Sequence, residues 1–324
     1  MTRFHFSRLE LNLSNCVDNY RYFRSKLKRS TKLLVLVKAN AYGHGAVEFA
    51  SMMQSAGADY LAVALPVEGV ELRQAGISLP ILVLTTGTDY FNEIIDNRLE
   101  PGIPNLYTLK ALVEVLQARG IEGFPIHIKL DTGMHRLGFM TSELEELTTY
   151  LKDCPYVKVK SVYSHLFASE DPSMDSLTMK QIEMFERNSS VISEAVGYRP
   201  MLHILNSAGI ERFARYQYDM VRLGVGIYGI SALPEVKLKP VASLKVKILQ
   251  IKELKAEDGA IGYGWHGHIA ESGTRIATIP VGYADGIDRH LGCGRASFNV
   301  TGRLFPTIVN ICMYIGMLDV NGVD

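Results

Sequence analysis

Between residues 33 and 223 the chain repeats one pattern eight times: a short apolar run, then an amphipathic or polar stretch of helical length. The apolar runs fall at 33–38, 60–65, 80–85, 98–103, 125–130, 157–165, 201–206 and 220–223. Residues 33–37, "LLVLV", are apolar at successive positions, the signature of a strand covered on both faces. The intervening segments, such as 46–54, 106–117, 142–152 and 174–196, are long enough to be helices. Eight strand-plus-helix units predict an α/β chain whose residues 1–230 form a (β/α)8 TIM barrel. After Gly229 the texture changes. "VASLKVKILQIKEL", "RIATIPVGYADG" and "ASFNVTGRLFPTIVNICMYIGMLDV" are short β-type runs broken by Gly and Asp, without helical periodicity. They predict a mostly-β C-terminal domain over residues 231–324.

Charge and cysteine usage narrow the function. The 324 residues carry no formal net charge, so the chain has no electrostatic footprint for nucleic acid or an anionic membrane. No apolar run reaches the length of a bilayer span, and "MTRFHFSRLELNLS" lacks the apolar core of a signal peptide. A cytoplasmic location is expected. The four cysteines, Cys16, Cys154, Cys293 and Cys312, have no C-x-x-C spacing, so neither a metal site nor a disulfide framework is expected.

The unusual polar residues cluster at strand ends. "LLVLVKANAYGHGA" ends its apolar run in Lys38, and "IHIKLDTGMHRLGF" places Lys129 and Asp131 at the end of the fifth run. His165 ends the sixth, Asn206 and Ser207 the seventh, and Arg222, Gly224 and Val225 close the eighth in "VRLGVGIYG". Each alone reads as a snorkelling lysine, a satisfied core histidine or half of an ion pair. Together they fall on the carboxyl-terminal face of a barrel, where barrel enzymes place their sites. Loops after strands seven and eight often hold phosphate. A lysine, a phosphate cup and an arginine at one barrel mouth describe pyridoxal 5′-phosphate.

The motifs "VKANAYGHGA", "KLDTGMHRLGF", "SHL", "NSAG", "RLGVGIYG", "IGYG", "IPVGYADG" and "ICM" occur in the order found in bacterial alanine racemases, PLP-dependent enzymes of fold-type III. The chain resembles that family over nearly its whole length. The resemblance implies an isomerase that interconverts L-alanine and D-alanine, supplying D-alanine for peptidoglycan, and a homodimer with shared active sites. It implies that Lys38 carries the cofactor and is one proton-transfer base, while Tyr263 in "IGYG", from the other subunit, is the second. It places Tyr42 with Ser207, Gly224 and Val225 beside the phosphate, Asn206 among the cofactor contacts, and Arg222 on the pyridine nitrogen. Arg136 would reach the catalytic tyrosine and the cofactor hydroxyl, and a carbamylated Lys129 would brace it. His165 would back the tyrosine and Arg222, and Met313 would lie at the substrate end.

Two features depart from the family pattern. Cys312-Met313 is followed by Tyr314 where the family has aspartate, and Val309-Asn310 stand where a glycine usually precedes the motif. The family also usually runs several strands further, so the β domain is expected to be incomplete. Alternative readings therefore stay open: a PLP-binding relative with little or no turnover, and a fold-related decarboxylase of basic amino acids. The second has nothing in "DTGMHRLGF" to favour it. The expectation is slow turnover. A one-methylene or hydroxyl difference in substrate is worth only about 1–3 kcal/mol, so the sequence leaves alanine against serine undecided.

Overall fold

The apolar runs of the repeat become one eight-stranded parallel sheet in the computed structural model, which describes residues 6–323. The chain begins with strand β1 (Ser7–Leu11) and a helix, Leu13–Ser25, capped by the Asn12 side chain accepting from Asn15 N at 3.1 Å. Then follow β2 (Lys32–Leu36), β3 (Tyr60–Val63), β4 (Ile81–Val83), β5 (Glu100–Ile103), β6 (Phe124–Lys129), β7 (Val157–Tyr163), β8 (Met201–His203) and β9 (Met220–Leu223). Their order is β8-β7-β6-β5-β4-β3-β2-β9. Backbone bonds from Asp219 N to Leu202 O (3.2 Å) and Arg222 N to Leu205 O (3.0 Å) bridge the two ends, nearly closing the barrel. Helices cross between the strands as the periodicity predicts, among them Ala46–Ala56, Leu106–Ala118, Leu144–Lys152 and Asp175–Val196.

The period of two along each strand sorts the core into two layers. Leu33, Val35 and Val37 pack outward in the large cluster shared with the helices, while Leu34 and Leu36 join Tyr60, Ala62, Leu82 and Met220 in a smaller cluster. That second cluster lines only the part of the barrel built by β2, β3, β4 and β9. The other strands turn buried polar groups toward one another: Glu100, His127, Ser161 and His203, joined by Arg222 from β9.

The chain divides into two compact units, residues 11–241 and residues 6–10 with 242–323. The sequence placed the boundary at 230/231. Residues 231–241 stay with the barrel because they are tied to it: Ser231 Oγ donates to Glu211 Oε1 (2.7 Å), and Asn19 Nδ2 donates to Lys239 O (2.9 Å). The N-terminal strand β1 leaves the barrel because it pairs with β10 (Ala242–Val246). Residues 1–5 and 324, the ends of the two expected domains, lie outside the described residues. Beyond β10 come β11 (Gln250–Leu254), β12 (Thr274–Ile279), β13 (Ser297–Val300), β14 (Arg303–Pro306) and β15 (Gly316–Asp319). β11, β12 and β15 form an antiparallel sheet, and β13 and β14 a hairpin. Ala277, Ile279, Val281, Phe305, Leu318 and Val320 fill the core beneath them.

Gly226, just after β9, meets the helix Leu13–Ser25 without room for a side chain. A Cβ there would run into the Phe23 ring and stand 3.1 Å from Leu223 Cδ1. Overpacking of this kind costs about 1–3 kcal/mol. Gly226→Ala should lower Tm by roughly 2–4 °C per kcal/mol, read by thermal unfolding. An unchanged Tm would show that Phe23 can step aside.

Candidate active site

The carboxyl-terminal ends of the barrel strands open onto a cavity of about 550 Å³. Lys38, Tyr42, Lys129, Arg136, His165, Asn206, Ser207, Arg222, Gly224 and Val225, the expected barrel site residues, all line it. The sequence reading did not single out Leu84, Thr85, Tyr163 or Glu170, which also line it. A strand-end position is the only signal that would have pointed to Tyr163.

Lys38 opens an unusual turn. Ala39, Asn40, Ala41 and Tyr42 all have φ between 51° and 56°, a left-handed helical turn made without glycine. Such a conformation costs an L-residue roughly 1–2 kcal/mol. Bonds on its flanks hold it in place. Glu68 Oε1 accepts from Ala39 N (2.6 Å), Ala41 N donates to Val37 O (2.9 Å), and Asn40 Oδ1 accepts from Ala46 N (2.8 Å). The other Glu68 oxygen accepts from Ala64 N and Leu65 N, so one carboxylate ties the ends of β2 and β3 together. The turn brings Lys38 Nζ to 5.9 Å from the centre of the Tyr42 ring. Tyr42 in turn packs on Tyr228 at 4.9 Å.

Arg222 is buried and makes its hydrogen bonds through Nη1 and Nη2. Nη1 donates to His203 Nδ1 (2.9 Å) and His203 O (3.1 Å). Nη2 donates to Ser164 O, to Ile204 O (3.1 Å) and to His165 Nδ1 (3.3 Å). Burial pulls its pKa to about 10, which leaves it almost wholly charged at neutral pH. His165 is held neutral, its pKa drawn down to about 3 by burial and then by Arg222 and Arg136. Burial, then Arg136 and Arg222, brings Lys129 down to about 8. Lys38 is lowered too, by burial first and Arg136 second.

The phosphate end differs in detail from its expected form. A glycine beside a phosphate can present its N–H to the ligand. Instead Gly224 N donates to Ser207 Oγ (2.9 Å), as does Gly226 N (3.2 Å). With both acceptor positions taken, the Ser207 hydroxyl has its own proton left to donate. What Gly224 supplies is room: a Cβ there would approach the Tyr42 hydroxyl to 3.2 Å. Asn206 is committed to structure as a helix cap. Its Oδ1 accepts from Gly209 N (2.9 Å) and Ser169 Oγ (2.7 Å), and Nδ2 donates to Leu166 O (3.3 Å).

Tyr263 and Met313 belong to the β unit. Tyr263 lies at the tip of a hairpin closed by paired bonds between Ile261 and Gly267 (3.1 and 3.0 Å). It is 75% exposed, and among the described residues its hydroxyl has no hydrogen-bond partner. Gly262 precedes it at φ +79°, where a Cβ would lie 3.1 Å from the Val309 side chain. Met313 and Tyr314 occupy the exposed middle of a turn closed by Cys312 N to Ile315 O (2.9 Å). Tyr283 N and Ala284 N, from "VGYADG", donate to Cys312 O (3.1 Å) and Met313 O (2.9 Å). Gly282 permits that approach, since a Cβ there would collide with both carbonyls. Backbone bonds therefore fix this loop without a carboxylate at position 314.

A parallel barrel with a half-buried lysine after its first ladder strand and a cation-lined mouth defines an enzyme site for an anionic ligand. The sequence matches the alanine racemase N-terminal domain over residues 11–232 and the alanine racemase C-terminal domain over residues 241–324. It is 35% identical to alanine racemase of Synechocystis sp. over 98% of this chain and 85% of that one. It is 36% identical to alanine racemase 2 of Bacillus subtilis over 87% and 74%. The solved alanine racemase of Clostridium difficile 630 superposes with a TM-score of 0.91 at 31% identity, over 100% of this chain and 85% of that one. The alanine racemase of Bartonella henselae with covalently bound pyridoxal phosphate gives 0.88 at 26%, over 98% and 87%. The chain belongs to the alanine racemase family and is an isomerase that interconverts L-alanine and D-alanine.

If the turn after β2 is strained as its angles indicate, relieving it at an exposed position should not harm the fold. Ala39→Gly is expected to leave stability unchanged or raise it by up to about 1 kcal/mol. Ala50→Gly, in the right-handed helix Ala46–Ala56 and fully buried, should lower it by at least about 0.5–1 kcal/mol, since a buried methyl is lost as well. Thermal unfolding of both variants reads the signs; equal losses would mean the turn stores no strain.

Proposed function

We propose that Lys38 and Tyr263 are the two bases of a proton transfer on pyridoxal 5′-phosphate, each serving one face of the alanine Cα. The observation that carries this reading is the convergence of Lys38, Lys129, Arg136 and Arg222 on one cavity lined by a single carboxylate, Glu170. That charge suits an anionic cofactor. The donors match its parts as well: Ser207 O–H, Tyr42 O–H and the Val225 N–H for the phosphate, and Arg222 Nε–H for the pyridine nitrogen. Among the described residues, no hydrogen bond occupies the side chains of Lys38, Tyr42 or Arg136, which leaves them available. The bound cofactor supplies a conjugated ring into which the electron pair left at Cα spreads.

Racemisation removes a proton from one face of Cα and returns one to the other. Lys38, with its pKa lowered by burial and Arg136, loses its own proton more readily than an ordinary lysine and so can accept one from Cα. The exposed Tyr263 hairpin suits a base delivered by the second subunit of a homodimer, with Met313 at the substrate end. The charge of Arg136 would lower the cost of a tyrosinate at that second base. Arg222 stays charged and holds its proton, and neutral His165 accepts from it. Lys129 is placed for carbamylation: with a pKa of about 8, a substantial share of its amine is neutral near that pH. The neutral amine attacks carbon dioxide, an N–C bond forms and one proton leaves. The resulting carboxylate gives Arg136 an anionic neighbour. Among the described residues no helix is long and apolar enough to cross a membrane, and we place the enzyme in the cytoplasm, supplying D-alanine for peptidoglycan.

Lys38→Ala and Tyr263→Phe should each be inactive alone, with Tyr263→Phe keeping the cofactor absorbance. Mixed as hybrid dimers they should regain activity, because one of the two sites then holds both bases. A verified hybrid with no activity would exclude a site shared between subunits.

The alternative, a cofactor binder with little turnover, is favoured by Tyr314 alone. This bulky phenol is 61% exposed beside Met313 and cannot accept charge-assisted hydrogen bonds as a carboxylate does. Because the loop itself is fixed by backbone bonds, any effect of Tyr314 must come from its size and lack of charge. Tyr314→Asp is expected to raise kcat/KM for alanine with little change in Tm. A fast parent enzyme and an unchanged or lower kcat/KM in the variant would show that the site has accommodated tyrosine.

A further inference from the structure

A hydrogen-bonded chain crosses the buried polar side of the barrel. Arg222 Nη1 meets His203 Nδ1 (2.9 Å), and His203 Nε2 meets Ser161 Oγ (2.8 Å). Ser161 Oγ meets His127 Nδ1 (2.6 Å), and His127 Nε2 meets Glu100 Oε2 (2.8 Å). His127, Ser161 and His203 are completely buried. Glu100 begins β5, at the opposite end of the strands from the cavity.

The order of protons follows from donor chemistry. A guanidinium has donors only, so His203 Nδ1 must accept. A neutral imidazole then carries its proton on Nε2 and gives it to Ser161. Burial and the nearby Arg222 hold His203 far below the ordinary histidine range, in keeping with that neutral form. Among the described residues Ser161 Oγ has two partners, His203 and His127, so its hydroxyl proton goes to His127 Nδ1. A doubly protonated His127 would leave that hydroxyl without an acceptor in a site sealed from water. His127 therefore donates from Nε2 to Glu100, which as a carboxylate can only accept. Every proton points from Arg222 to Glu100. The second oxygen, Glu100 Oε1, accepts from Lys160 Nζ (2.6 Å), with Tyr60 beside both. Among the described residues no carboxylate forms an ion pair with Arg222.

We propose that Glu100 is a positioning residue for Arg222: as the terminal acceptor of the relay through His127, Ser161 and His203, it fixes the tautomer of His203 and with it the orientation of the guanidinium. This rests on Arg222 standing at the cofactor ring, as proposed above, for its effect on turnover, but the proton order itself does not.

Glu100→Gln makes a specific disturbance. Lys160 can only donate, so the amide oxygen turns to Lys160 and the amide N–H faces His127 Nε2. His127 must then move its proton to Nδ1. Ser161 receives two donors, and its own proton is stranded. Adding Lys160→Met frees the amide to turn its oxygen back to His127 and restores the original order. The first measurement uses the parent holoenzyme with ¹⁵N-labelled histidine. Both His127 and His203 should be Nε2–H tautomers; an Nδ1–H or doubly protonated form of either overturns the relay, whatever the role of Arg222. Next, Glu100→Gln should show His127 as Nδ1–H and lose kcat by about tenfold with KM little changed, a modest coupling for two linked sites. Glu100→Gln with Lys160→Met should recover most of both the tautomer and kcat. A single variant with parental kcat, or a double variant no better than the single, overturns the positioning role. Loss of packing alone would make the double variant worse.

Discussion

Arg222 is a permanent cation enclosed in a barrel, and the surrounding structure is arranged to make that tolerable. Taking a charge out of water is expensive unless its donors are all met. Here three carbonyls and two imidazoles meet its Nη1 and Nη2 donors, contributed by the carboxyl ends of β7 and β8 and the segments after them. Those strands must therefore stop where they do. β8 ends at His203, and the backbone then swings so that Ile204 O faces inward to the guanidinium. The Tyr163 ring lies parallel to His203 at 5.0 Å and 5.6 Å from the Arg222 guanidinium carbon. Both histidines that touch Arg222 have to be neutral acceptors, and burial beside a cation is what makes them so.

This demand divides the barrel interior. A (β/α)8 barrel is ordinarily filled by branched apolar side chains. Here only the β2, β3, β4 and β9 side follows that rule, with Leu34, Leu36, Ala62, Leu82 and Met220. On the other side the relay from Arg222 occupies the same volume. A partly satisfied polar network would be worse than an apolar core, so each member needs its partner. Strand register supplies them: Gly102 pairs with His127, His127 with Ser161, and Tyr163 with His203, which keeps the polar side chains adjacent around the barrel.

The repeat of apolar runs and helical stretches was enough to place all eight strands, because burial on both faces leaves a strong local pattern. The strand-end lysines, histidine and arginine were legible for the same reason: an apolar run that stops at a charged residue marks the barrel mouth. The interior polar residues were not. His127 lies in "IHIK" and His203 in "LHIL", where a single polar letter between apolar neighbours says nothing about which strand it will face. Nor was the left-handed turn visible, since Ala39, Asn40, Ala41 and Tyr42 contain no glycine. The transfer of β1 to the second unit was hidden too. It depends on pairing with β10, more than two hundred residues away in sequence.

The strained turn and the buried cation solve one problem together. Lys38 has to approach the same cavity as Lys129, Arg136 and Arg222, and among the described residues the nearby anions are Glu170 on the lining, Asp131 near Lys129 and Glu68 near Lys38. In such a field an ordinary flexible lysine would turn toward solvent. The left-handed turn removes that freedom: Glu68 pins Ala39, the Asn40 side chain holds the start of the next helix, and the Tyr42 ring, packed on Tyr228, lies 5.9 Å from Lys38 Nζ. Four cationic groups left facing one another would push the protein apart or lose protons. The shifts at Lys38 and Lys129 come first from burial, and the neighbouring cations add to them. The positive field is relieved when an anion occupies the cavity, so the cation cluster favours an anionic ligand there.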